Sequence, residues 1–160
     1  MRADDDGLCE WRERVTGRRV DNVSAHLRSA DWATHVGWYI VADRVQRLSE
    51  HAKHRNVFVG GSVENEIDVW HLFDRHVCLV VDDAVVADRI QRRTNNDYGK
   101  GPGELQSILE WNKTSEENYR RFGAAVIDAS RPLPLVVDDV LKATVTQCGL
   151  VLDNAPPTLA

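Results

Sequence analysis

Three short apolar runs without polar alternation set the strongest constraint on this chain. They are residues 56–61 (Asn-Val-Phe-Val-Gly-Gly), 76–81 (His-Val-Cys-Leu-Val-Val) and 124–128 (Ala-Ala-Val-Ile-Asp). A strand with one wet face alternates apolar and polar residues, whereas a continuous apolar run expects cover on both faces. Between the runs, apolar residues return at helical spacing. Residues 64–74 place Ile67, Trp70 and Phe73 on one side, 84–93 turn Val86 and Ile90 inward, and 104–121 carry Leu105, Ile108, Leu109 and Tyr119. Residues 135–147 close the series with Val136, Val137, Val140 and Leu141. Asp82 or Asp83 stands where a helix N-cap belongs. Strands separated by helices predict right-handed crossover units: an α/β fold with a parallel sheet and helices on both faces. Ligands in such folds bind beyond the carboxyl ends of the strands. The positions to inspect are therefore Gly60-Gly61, Asp82-Asp83 and Asp128-Ala129-Ser130-Arg131.

The N-terminal part is less patterned. Leu8, Trp11 and Val15 have the spacing of one side of a short helix, and residues 17–31 read as loop. A dense apolar patch at 36–41 precedes a helix through Val41, Val45, Leu48 and Ala52. The 160 residues fit one domain, read as 1–150, with 151–160 as a C-terminal tail. A net charge of −5 argues against nucleic acid as a partner. No apolar run approaches the roughly 20 residues that cross a bilayer, so no membrane partner is expected. The start, Met-Arg-Ala-Asp-Asp-Asp-Gly, has no apolar leader segment, and a cytoplasmic location follows by default. Cys9, Cys78 and Cys148 are odd in number and far apart, which speaks against a disulfide framework. His51-x-x-His54 has no further ligand at zinc spacing, so no metal site is assigned.

Four constellations could carry chemistry. Arg89-x-x-Arg92-Arg93 precedes a glycine-rich loop, residues 94–103, that carries Lys100. Arginines at this spacing share a helix side and grip phosphate oxygens in a two-pronged way. The plain alternative is a solvated face with cations favoured near a helix C-terminus. The strand end Asp128-Ala129-Ser130-Arg131-Pro132 leaves backbone groups free for a ligand, or is an ordinary capped connection. Asp4-Asp5-Asp6 could hold Mg²⁺ or orient a hydroxyl, or be a solvated end. Gly60-Gly61 allow a ligand close to the backbone, or simply a turn.

The order of these features resembles the P-loop kinases of the adenylate kinase and shikimate kinase type, especially their small nucleoside-kinase-like relatives. Residues 56–61 resemble the family's third strand and 77–82 its fourth. Asp88-Arg89-Ile90-Gln91-Arg92-Arg93-Thr94 is similar to the helix that leads into the lid. Val126-Ile127-Asp128-Ala129-Ser130-Arg131-Pro132-Leu133 is similar to the fifth strand and the loop on adenine. The family's Gly-x-x-x-x-Gly-Lys-Ser/Thr loop has no match in these residues, so the expected fold is P-loop NTPase-like but lacks the first strand and the phosphate loop. The resemblance also implies that this loop lies upstream of Met1.

What the resemblance implies for function is ATP-dependent phosphoryl transfer to a small nucleoside- or nucleotide-type acceptor, with ATP and Mg²⁺ as cofactors. The activity of this form hangs on the missing phosphate loop. Arg89, Arg92, Arg93, Asp4 and Asp6 are the implied catalytic set. Lys100, Ala129, Ser130, Arg131 and Pro132 are the implied ATP contacts, and Gly60 and Gly61 line the acceptor pocket. The alternative is a non-catalytic nucleotide-binding or protein-interaction module on the same fold. Loss of a central strand would leave apolar edges, which a second copy could cover in a homodimer.

Overall fold

A computed structural model describes residues 7–21, 29–52 and 56–145. The described residues form two compact units, 7–74 and 75–145. Both mix helix and strand, and each has its own two-stranded sheet. No described helix is long and apolar enough to cross a membrane.

In the first unit, β1 (Cys9–Glu13) pairs antiparallel with β2 (Val36–Ile40), in the register Cys9 with Ile40 through Glu13 with Val36. The helical spacing of Leu8, Trp11 and Val15 is therefore misleading. Trp11 lies opposite Trp38, with ring centroids 4.7 Å apart, and meets Trp32 edge-on at 4.8 Å. Val15, which would complete the helical face, is 92% exposed in the turn that follows β1. That turn uses Gly17 at φ +68, a conformation that favours glycine. The returning chain lies along the other edge of β1, where Arg12 and Arg19 form an antiparallel bridge.

The expected loop over 17–31 ends earlier than its bounds, because residues 30 and 31 open α1 (Ala30–His35), capped by the Ser29 hydroxyl accepting from the Trp32 amide at 3.0 Å. The expected helix over 41–52 is α2 (Ala42–His51), which buries Val45. The helix expected over 64–74 is α3 (Glu66–Val69), which tightens into a 3₁₀ turn, Trp70–Leu72. Leu8, Cys9, Ile40, Val45 and Val69 form the core of this unit.

The run at 56–61 is a correction to the expected fold. It is coil with a single bridge residue at Gly60, and Val57 and Phe58 are exposed. The reason lies on β2. The Asn65 side chain accepts from the Ile40 amide at 2.9 Å and donates to the Ile40 carbonyl at 3.1 Å, and the Glu64 amide takes the Trp38 carbonyl at 2.9 Å. A side chain and one amide thus occupy ladder positions that a strand would use.

In the second unit, β3 (Val77–Val80) and β4 (Ala125–Asp128) run parallel, in the register Val77 with Ala125 through Val80 with Asp128. They are joined through α4 (Asp83–Arg92) and α5 (Pro102–Arg121), and α6 (Leu133–Val145) follows β4. These elements fall close to their expected positions. Ile127, Ala129 and Val136 are the buried centre, with Val77, Val81, Val140 and Ala143 against them. A single parallel sheet covered on both faces is nevertheless corrected. Among the described residues the parallel sheet has two strands, and Leu79 of β3 is 55% exposed.

Candidate functional site

The carboxyl ends of β3 and β4 gather most of the singled-out residues of the second unit. The parallel ladder continues one step past the strands, with the Ala129 amide donating to the Val80 carbonyl at 2.8 Å. Arg89, on the last turns of α4, donates from Nη2 to the Ala129 carbonyl at 2.8 Å. The cationic helix and the turn after β4 are therefore in contact.

The turn itself is locally bonded. The Asp128 carboxylate accepts from the Ser130 amide at 2.8 Å and from the Ser130 hydroxyl at 2.6 Å. The Ser130 bonds, helped by the Arg131 charge, hold the Asp128 carboxyl below its ordinary value. Arg131 donates from Nη2 to Asp139 of α6 at 2.6 Å and from Nε to the Asp128 carbonyl at 3.2 Å. Arg131, and then Lys142, likewise lower the Asp139 carboxyl. Pro132 accepts the first helical bonds of α6 at its carbonyl, from Leu135 and Val136.

Arg93 turns to the loop instead. Arg93 donates from Nε to the Asn96 carbonyl at 3.0 Å, and from Nη2 to the Tyr98 carbonyl. Lys100 pairs with Asp97 at 2.9 Å, which lowers the Asp97 carboxyl. Gly99, at φ +89, is buried and seats the loop: a Cβ there would come within 2.7 Å of Ile108 Cδ1. The loop is thus packed against α4 and α5 at this point. Arg92 differs from its neighbours. Its side chain is 80% exposed and pairs with Asp88 one turn back.

Beside the end of β3 lies a groove of about 310 Å³, lined by Asp82, Asp83, Asn112, Lys113 and Glu116. Asp82 holds the N-cap position of α4 without a side-chain cap bond. Asn112 ties the groove together, donating from Nδ2 to the Val81 carbonyl at 3.1 Å and to Asp83 Oδ1 at 2.8 Å. Lys113 pairs with Glu110 at 2.9 Å, and that bond, followed by the more distant Asp83 charge, raises its pKa. The sequence reading missed Asn112, Lys113 and Glu116. The available signal was Asn112 itself, a polar residue at helical spacing from Ile108 on the apolar stripe of α5.

Asp4, Asp6 and His54 lie outside the described residues. Gly60 and Gly61 belong to the first unit and are exposed. Among the described residues no three His, Cys, Asp or Glu side chains form a metal-binding group. Compared with protein-family models, curated proteins and solved structures, the chain matches none.

Proposed function

We propose that this protein is a P-loop kinase-like, ATP-binding protein of the nucleoside- or nucleotide-kinase type. Its nucleotide lies beyond the carboxyl ends of β3 and β4. The single observation that supports this most is the 2.8 Å bond from Arg89 to the Ala129 carbonyl, which joins the cationic helix to the turn assigned to adenine. The electrostatics divide the site. The groove at β3 carries three carboxylates, Asp82, Asp83 and Glu116, against one ammonium, Lys113, and repels phosphate. The phosphates therefore belong on the side of Arg92, Arg93 and Lys100, where the guanidinium fork suits phosphate oxygens.

In this reading Ala129, Ser130, Arg131 and Pro132 take the adenine side, and Arg89, Arg92 and Arg93 neutralise the transferring phosphoryl group. ATP, when bound, supplies the phosphoryl group.

Thermal unfolding with and without Mg·ATP tests the reading. A ligand at 100 times its dissociation constant adds about 2.7 kcal/mol. We expect a rise in melting temperature that shrinks in Arg92→Ala, whose exposed side chain pairs with its helix neighbour Asp88. No rise at saturating Mg·ATP, or an equal rise in the variant, overturns it.

One observation favours the second reading, a non-catalytic interaction module. Leu133, Val137, Leu141 and Val145, four residues apart along one side of α6, are all at least 45% exposed. An apolar helix face of this kind marks binding surfaces. Unchanged melting with Mg·ATP, together with concentration-dependent self-association lost in Leu141→Glu, would favour that reading.

A further inference from the structure

The first unit carries a second concentration of cations. The register of β1 puts Glu10 and Arg12 two residues apart on one face of the ribbon. The Glu10 carboxylate is only 12% exposed and both its oxygens are engaged. Oε1 accepts from Arg12 Nε at 3.0 Å and lies 2.8 Å from its Nη2, and Oε2 accepts from Arg44 Nη2 at 2.8 Å. Arg44 is braced further by the Gly7 carbonyl at 3.0 Å and the Cys9 carbonyl at 3.4 Å.

Arg19 is brought to this cluster by its backbone. The bridge to Arg12 is flanked by main-chain bonds from Glu13 to Arg18 at 2.9 Å and from Val20 to Trp11 at 2.8 Å. Its guanidinium, 70% exposed, reaches Glu10 only at 4.0 Å. The neighbouring carboxylates are already engaged: Glu13 by Arg18 and Thr16, Glu64 by Arg14. Among the described residues, three guanidinium groups therefore face the Glu10 carboxylate, and the third, Arg19, is held beside Arg12 and meets that carboxylate only at 4.0 Å. Like charges fixed this near one another favour a bound counter-anion, and a dianion matches the excess.

We propose that Arg19 and Arg12 form a binding site for a phosphomonoester, with Glu10 positioning Arg12 and Arg44. A phosphate dianion carries two charges and three terminal oxygens that two guanidinium groups can share, against the one charge and two oxygens of a carboxylate. The site lies in the first unit and does not rest on the kinase reading of the second. Free phosphate shares the chemistry, so the test separates the two sources.

The full chain is titrated by calorimetry at low ionic strength with methyl phosphate, inorganic phosphate and acetate. Methyl phosphate binds, and acetate binds at least about tenfold more weakly. Arg19→Ala loses about tenfold in methyl phosphate affinity at unchanged melting temperature, Arg19→Lys falls between the two, and Arg18→Ala binds as the parent does. Binding of inorganic phosphate but not methyl phosphate overturns the ester assignment. Equal affinity in Arg19→Ala, or no phosphate binding at all, overturns the site. Loss in Arg92→Ala but not in Arg19→Ala moves the anion to the second unit and also overturns it. The Mg·ATP response of Arg19→Ala stays intact, so failure here is distinct from failure of the kinase reading.

Discussion

The two units close their sheets by different means. In the second, a parallel main-chain ladder runs from His76–Ala125 to Val80–Ala129, and helices join and follow the strands. In the first, an antiparallel ribbon of five residues a side is extended by groups from elsewhere: the Asn65 amide on Ile40, the Glu64 amide on Trp38, and Arg44 on Gly7 and Cys9. The difference teaches where stability resides. The ladder of one unit is closed by main-chain groups, and that of the other is completed by side chains from distant parts of the chain.

The largest expected effect sharpens this contrast in the second unit. Gly99→Ala forces a side chain into a left-handed position and against Ile108. Strain and overpacking together cost about 2–4 kcal/mol. Urea unfolding followed by amide exchange should show the loss in residues 75–145, with 7–74 unaffected. A variant as stable as the parent would mean that the loop does not pack there.

A smaller effect belongs to the first unit. Asn65→Ala removes both bonds to Ile40 and a third to Asp68 at 3.1 Å. Leaving the β2 groups without them costs about 1–3 kcal/mol. Faster exchange of the Ile40 amide reads it directly. Unchanged exchange would show that the main chain alone closes the ribbon.

How much of this was legible in the sequence follows the same division. Residues 76–81 and 124–128 were readable because a continuous apolar run followed by a capped helix has few other solutions. Residues 56–61 are also a short apolar run, though ended by two glycines, and form no strand; Asn65 and Glu64 occupy ladder positions on β2. The pairing of Trp11 with Trp38 spans 27 positions and leaves no local period. At the candidate site, the helix that carries Arg89 and the strand that ends at the Ala129 turn were readable from the element pattern. Their contact and the role of Asn112 were not, since both depend on how α4 and α5 return to the strands.

The smallest effect is a pH dependence. Asp128 and Asp139 titrate below their ordinary value near 3.8, held there chiefly by Ser130 and Arg131 respectively. A carboxyl lowered by folding stabilises above its unfolded value and loses that contribution as pH falls through its folded one. The melting temperature of the parent should therefore exceed that of Arg131→Ala near neutrality, and the two curves should converge as pH falls below about 3.8. A constant offset at every pH would remove the Arg131–Asp139 pair from the account.

The central claim is that the cationic helix and loop and the turn after β4 meet one nucleotide. Amide hydrogen exchange with and without Mg·ATP tests it most directly. The account predicts slower exchange in residues 93–100 and 129–132 together, with 36–40 unchanged. Protection of neither segment, or of one without the other, would contradict it.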